Sequence, residues 1–306
     1  MRMIDTHVHI FPKLQGFHGK GELVPIGNGK GRWATGEVVN MIPSELGTDS
    51  FTMDSCHEFL QKNGVDKAVL LQGNFYGFQN EYIAEAVKKY PDMFVGAGIF
   101  DPLSPYADMI YERLTKELNY KVLKFECSSG CGLMTYHHPF ALDQVFDHVV
   151  SNCRKNGQVI ALDIGSPGMA SFQPEAVSRL ADTYPEVKIV VCHLLAPSTK
   201  DEAILEQSLK VLKKNNIYFD LAALPFNVKP DVYPYPTALR YIKMAKDIVG
   251  ADHLMWGTDL PSVMCYDTYT HLKDFLEQCP GFSQEELESV YYKTALEVYP
   301  FDERKA

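Results

Sequence analysis

The residues best suited to chemistry begin seven positions into the chain, with His7-Val8-His9 inside Met3-Ile4-Asp5-Thr6-His7-Val8-His9-Ile10-Phe11-Pro12. Side chains along a strand alternate with period two, so two imidazoles two residues apart share one face and can address one ion or one substrate. A third imidazole, His193, ends the apolar run Lys188-Ile189-Val190-Val191-Cys192-His193, and a carboxylate, Asp259, lies in Trp256-Gly257-Thr258-Asp259-Leu260-Pro261. Three histidines and one carboxylate form a donor set that suits zinc, with water completing the shell. A metal in that position lowers the pKa of its water toward neutrality, and Asp259 stands ready to accept the proton.

These groups need rigid elements to bring them together. Eight strands are predicted: Met3–His9, Val65–Gln72, Phe94–Phe100, Lys121–Glu126, Gln158–Asp163, Lys188–His193, Ile217–Leu221 and Leu254–Thr258. Amphipathic stretches separate them; Phe140–Asn156 carries Leu142, Val145, Phe146, Val149, Val150 and Cys153 at the helical period, with Gly157 placed as its C-cap. Ser283 and Glu286 have capping-box spacing ahead of a final helix, Ser283–Val298, expected to cover one barrel end. Repeated strand-helix units of this length predict a (β/α)8 barrel, one domain over residues 1–306. Active sites of such barrels collect at the C-terminal strand ends, where the sequence places His7, His9, Gln72, Asp101, Lys124, Glu126, Asp163, His193 and Asp259.

Residues 10–50 interrupt the pattern with eight glycines and a predicted hairpin around Arg32–Ile42. An insertion after the first strand lies over the C-terminal face, so this segment is expected to act as a lid, a specificity loop or a subunit contact. Gly27-Asn28-Gly29-Lys30-Gly31 has no strand before it and no helix after it, and turn chemistry is the better reading than phosphate binding. Arg32 in the insertion and Tyr76 after the second strand are candidate substrate-binding residues, and Lys124 shares the inward phase of Glu126 and suits a substrate carboxylate.

Composition narrows the function classes. The chain is 46% hydrophobic and 22% charged with net charge −10, which predicts a large ordered core and no nucleic-acid partner. No apolar run reaches the roughly eighteen residues of a membrane span. Asp5, His7 and His9 fall where the apolar core of a signal peptide would sit, and seven scattered cysteines read as reduced thiols; both point to a cytoplasmic protein. The expected partner is a small molecule, with a homodimer as a further expectation.

The segments Ile4-Asp5-Thr6-His7-Val8-His9, Tyr184–His193 and Gly257-Thr258-Asp259-Leu260-Pro261 resemble the amidohydrolase superfamily. The similarity is to its amidohydrolase-related branch, which contains aminocarboxymuconate semialdehyde decarboxylase, resorcylate-type decarboxylases and pyrone dicarboxylate lactonase. That resemblance implies a distorted barrel, one catalytic divalent metal (zinc first, manganese second) and Asp259 as general acid/base. One position departs from it: the fifth strand reads Val159-Ile160-Ala161-Leu162-Asp163, with Asp163 where metal-binding members carry histidine. Two alternatives follow. Asp163, or Glu126 from the fourth strand, replaces the ligand; otherwise the metal is lost and the histidines bind substrate directly. The expected activity is hydrolysis of a small carboxylated or cyclic lactone, amide or ester. Nonoxidative decarboxylation, a metal-independent lactonase and a barrel that binds without turnover are the competing readings.

Overall fold

A computed structural model, which describes residues 1–301, contains twelve strands among the described residues. In chain order they are β1 (Ile4–Val8), β2 (Phe17–His18), β3 (Gly21–Gly27), β4 (Lys30–Trp33), β5 (Val38–Asn40), β6 (Lys67–Leu70), β7 (Phe94–Gly98), β8 (Val122–Glu126), β9 (Val159–Asp163), β10 (Ile189–Val191), β11 (Ile217–Asp220) and β12 (Leu254–Met255). Eight of them pair in the order β1-β6-β7-β8-β9-β10-β11-β12, all parallel. The seam between first and last is closed by backbone hydrogen bonds: Thr6 N donates to Trp256 O at 3.2 Å and His9 N to Leu260 O at 2.8 Å. The result is the (β/α)8 barrel expected from the sequence.

Every residue of β1, β7, β8, β9, β10 and β11 is buried, as parallel strands covered on both faces require. Inside the barrel, alternate residues Val69, Val95, Ala97, Val122, Val159, Ala161, Val190 and Met255 pack together, and Tyr292, Ala295, Val298 and Tyr299 from the C-terminal helical stretch join the same cluster. That apolar plug fills one end of the barrel. The other end inherits the same inward phase with polar residues: Val122 gives way to Lys124 and Glu126, Ala161 to Asp163, Tyr218 to Asp220 and Met255 to Asp259.

The helices follow from their sequences. Leu142–Asn156 buries Leu142, Phe146, Val149, Val150 and Cys153, and Gly157 stops it at φ 60°, a left-handed position that suits glycine. Ser283 and Glu286 form the expected capping box at the start of Gln284–Glu288, and the chain stays helical to Val298 through a π-type turn at Ser289–Lys293. Tyr269–Asp274 is α-helical, and Phe275–Gln278 tightens to a 3-10 turn. Among the described residues, no helix is long and apolar enough to cross a membrane. All seven cysteines are free thiols.

The insertion folds as an antiparallel four-stranded sheet in the order β2-β3-β4-β5. Leu23 and Trp33 turn inward and are buried, whereas Arg32, their neighbour in the alternation, is exposed. Beyond β5, Met41 and Ile42 re-enter the core.

Candidate active site

A cavity of about 250 Å³ opens at the polar end of the barrel. Among its lining residues are His7, His9, Lys124, Glu126, Asp163, His193 and Asp259. Each reaches it by a local device. The β1–β6 register shifts between Asp5 and Val8, an irregularity that re-aims the strand so that both His7 and His9 turn into the mouth. Strict alternation would place Cys192, not His193, inward; His193 adopts φ 60° and begins a run of left-handed residues through Ala196 that swings its ring into the site. Asp259 likewise sits at φ 70°, held by donation of its N–H to His7 O at 2.8 Å.

The three imidazoles are fixed from behind. His7 Nδ1–H donates to Asp220 Oδ2 at 3.1 Å, His9 Nδ1–H to Leu71 O at 3.0 Å and His193 Nδ1–H to Ala222 O at 3.0 Å. A carbonyl oxygen only accepts, so His9 and His193 must carry hydrogen on Nδ1; in the neutral ring the Nε2 lone pair then faces the cavity. Asp220, fully buried, imposes the same tautomer on His7. Its Oδ1 also accepts from His193 N at 2.8 Å and Ala222 N at 3.1 Å, so one carboxylate ties two of the histidines together. Burial opposes the charge of Asp220, but His7 and His193 outweigh it and hold the pKa below the ordinary carboxylate value.

The lone pairs converge. His9 Nε2 is 3.0 Å and His7 Nε2 3.7 Å from Asp259 Oδ1, and the His7 and His193 ring centroids are 4.5 Å apart. Burial pushes the His9 pKa down to about 4, so the ring is neutral at pH 7. For Asp259, burial is outweighed by the hydrogen bond to His9 and by His7, and its carboxyl is lowered and ionised. His9 Nε2 and Asp259 Oδ1 thus face each other at 3.0 Å, a separation at which they share one hydrogen or bind one cation between them. A divalent cation satisfies both, and the ligand atoms of His7, His9 and Asp259 lie within 4.8 Å of one another. Imidazole nitrogens and carboxylate oxygen form a set suited to zinc or manganese. The residues present fit such an ion.

The opposite wall, from β8, carries a different chemistry. Burial opposes the charge on Lys124, but Glu126 and Asp163 outweigh it and raise its pKa; the side chain is an ammonium. It makes no hydrogen bond or ion pair within 4 Å among the described residues. Glu126 accepts from Asn74 N at 3.0 Å and from the Cys131 thiol, and burial raises its pKa. Gly73 leaves room for both: a Cβ there would stand 2.7 Å from Glu126 Oε2 and 3.3 Å from Lys124 Nζ. Tyr76 adds an aromatic face, its ring centroid 4.5 Å from that of His9.

The amidohydrolase family model matches residues 4–301, the length of the barrel and its final helix. The chain belongs to the amidohydrolase family. No curated protein matches it by sequence. Among solved structures, it resembles an amidohydrolase from Burkholderia multivorans with bound zinc (15% identity, TM-score 0.74, 99% of this chain and 100% of that one covered). It also resembles a probable 2-pyrone-4,6-dicarboxylic acid hydrolase from Acinetobacter baumannii with bound citric acid (16%, 0.69, 97% and 99%). A third is 5-carboxyvanillate decarboxylase from Sphingomonas paucimobilis (17%, 0.57, 79% and 81%). At these identities the likeness is one of fold, and family members of this fold include hydrolases and decarboxylases.

Within this amidohydrolase barrel, most of the residues singled out by sequence meet in one cavity. Asp163 faces His193, with Oδ2 3.7 Å from Nε2, while its Oδ1 accepts from Gly165 N at 2.8 Å. Glu126 lines the cavity but stands outside the ligand clusters, with both oxygens engaged. Arg32 is exposed on β4 and is not among the residues lining the cavity, whereas Leu23 and Trp33 are buried. The insertion contributes Val39, Asn40 and Met41 instead. Asp101 pairs with His137 at 2.7 Å, and Gln72 is consumed by Gln79 N, Asn80 and Ala97 O. Asp220, Gly73 and Cys131 were missed. For Asp220 the signal was present: a carboxylate two residues after Tyr218, in the same inward phase of a buried strand.

Proposed function

We propose that this protein is a metal-dependent hydrolase that opens a small, carboxylated cyclic ester or amide. His7, His9, His193 and Asp259 would hold the divalent ion, zinc or manganese, with Asp163 beside His193. When bound, it supplies a Lewis acid that acidifies water and polarises the scissile carbonyl. The chain's own residues do the rest. Lys124, a buried ammonium without a partner, binds the substrate carboxylate, and Tyr76 packs against the ring. Asp259, ionised at neutral pH, takes a proton from the attacking water as its oxygen bonds to the acyl carbon. The bond from acyl carbon to ring oxygen or nitrogen breaks, and Asp259 returns the proton to that leaving atom. The product is an open-chain hydroxy or amino acid.

One observation carries this reading: Asp259 Oδ1 lies 3.0 and 3.7 Å from two inward Nε2 atoms, in a cavity that also holds the unpaired Lys124. The test is a panel of carboxylated δ-lactones followed by pH-stat acid release, and of carboxylated lactams followed by appearance of the primary amine, with wild type beside Asp259→Asn. General acid–base catalysis contributes roughly 10²- to 10⁴-fold, so the variant is expected to lose at least about 100-fold in kcat while remaining folded. Undiminished hydrolysis by the variant would remove Asp259 from the mechanism. Carbon dioxide release from aromatic carboxylates, without ring opening, would replace hydrolysis by decarboxylation on the same residues.

A further inference from the structure

Three residues beyond the catalytic cluster meet at the cavity mouth. Phe226, on the short helix Leu224–Asn227, and Tyr266, just after the Ser262–Cys265 turn, stand with ring centroids 4.7 Å apart. Both line the cavity that contains His7, His9 and Asp259. Both also line a second hollow of about 350 Å³, together with Lys229, Pro230, Asp231, Val232, Tyr235 and Asp267. The two rings therefore form a partition between the two spaces. On the outer side sits Lys229, its Nζ 3.4 Å from the Tyr266 centroid and 3.8 Å from that of Phe226.

This ammonium has no anionic partner within 4 Å among the described residues. The acids sharing its hollow are already engaged: Asp231 Oδ2 accepts from Thr237 N at 2.7 Å, and Asp267 accepts from Tyr235 OH, Thr268 N and His271. Burial without a counter-charge holds the Lys229 pKa below the usual lysine value. Lys229 is nonetheless exposed, so solvent and the π-faces of the two rings together stabilise its charge. An ammonium over an aromatic ring at an accessible site is stabilised less than one in a charge-assisted hydrogen bond. An anion arriving at the partition outcompetes the rings. In a chain of net charge −10, such a cation at the mouth also offsets the general repulsion of anionic substrates.

We propose that Lys229, with Phe226 and Tyr266, forms an outer subsite that binds a second carboxylate at the distal end of an elongated substrate. The inner carboxylate meets Lys124, the intervening carbons run along Phe226 and Tyr266, which line both spaces, and the outer carboxylate pairs with Lys229. This rests on the cavity being the substrate site, as proposed above, but not on which reaction occurs there.

The test is calorimetric titration of the metal-loaded protein with dicarboxylates of increasing length (glutarate, pimelate, azelate) beside monocarboxylates of equal carbon number (pentanoate, heptanoate, nonanoate). At least one dicarboxylate is expected to bind about tenfold more tightly than its monocarboxylate, and Lys229→Met is expected to abolish that excess while leaving the monocarboxylates within twofold. Lys229→Arg should retain it. The excess should shrink at 0.5 M salt, on the order of what screening does to an accessible charge. An excess that survives Lys229→Met overturns the proposal, as does a series in which no dicarboxylate exceeds its partner. Equal weakening of both ligand classes would also overturn it, making Lys229 a support for cavity shape. The reaction fails separately, through Asp259→Asn, whatever the titrations show.

Discussion

Replacing Asp220 by Asn should disarm His7, one of the proposed metal ligands, without touching it. In the wild type, Asp220 Oδ1 accepts the two backbone donors, His193 N and Ala222 N, and Oδ2 alone accepts His7 Nδ1–H. Asparagine is nearly isosteric and its carbonyl oxygen keeps both backbone bonds. Its amide nitrogen, however, now meets His7 Nδ1, and an N–H cannot accept. His7 must move its hydrogen to Nε2, so the lone pair that faced the cavity disappears. Partners that orient metal-bound imidazoles typically change metal affinity by about 10- to 100-fold, which bounds the expected loss. The metal-free protein should lose only about 1 kcal/mol, as a charge-assisted hydrogen bond becomes a neutral one, or roughly 2 °C in Tm at this chain length. The assay is competition with a graded chelator followed by elemental analysis, beside nitrogen-detected NMR of the His7 ring. Metal affinity equal to wild type with His7 still protonated on Nδ1 would refute the reasoning. A wild type that takes up no metal would refute the ligand assignment itself.

Two further outcomes are expected. Gly73→Ala puts a methyl group 2.7 Å from Glu126 Oε2 and 3.3 Å from Lys124 Nζ, so ligand binding should fall sharply and overpacking should cost about 1–3 kcal/mol, read as a lower denaturation midpoint. Ser283→Ala removes the side-chain half of a capping box far from the cavity and should cost about 1 kcal/mol in thermal unfolding with kcat unchanged.

How much of this was legible in the sequence depends on how local each feature is. The barrel was legible because a strand covered on both faces must be apolar throughout, and runs such as Val159–Leu162 have that signature. That His7 and His9 share one face is legible from strand periodicity, whereas their turn into the mouth depends on the register shift in β1 and the place of Asp259 on a left-handed backbone position beyond β12. His193 was legible only in part: its place at a strand tip is local, but its entry into the site depends on left-handed backbone that no residue type there advertises. Asp220 was overlooked because the strand was read to end at Leu221, which hid the inward phase of the preceding carboxylate. Arg32 was not legible because the face that a hairpin turns inward is decided by tertiary packing, here of Trp33 against His18 and Phe75. The Lys229 cluster joins Phe226 to Tyr266 across some forty residues, and no spacing rule anticipates that.

The seam between β1 and β12 has a consequence for how this protein is made. Asp259 reaches His9 and His7 across a joint between the two ends of the barrel, and every imidazole is braced by a strand or loop other than its own. Ribosomal synthesis therefore releases the histidines of β1 long before the carboxylate that completes their set. No truncated or half-emerged chain holds His7, His9, His193 and Asp259 together, so the metal site proposed above can form only in a finished barrel.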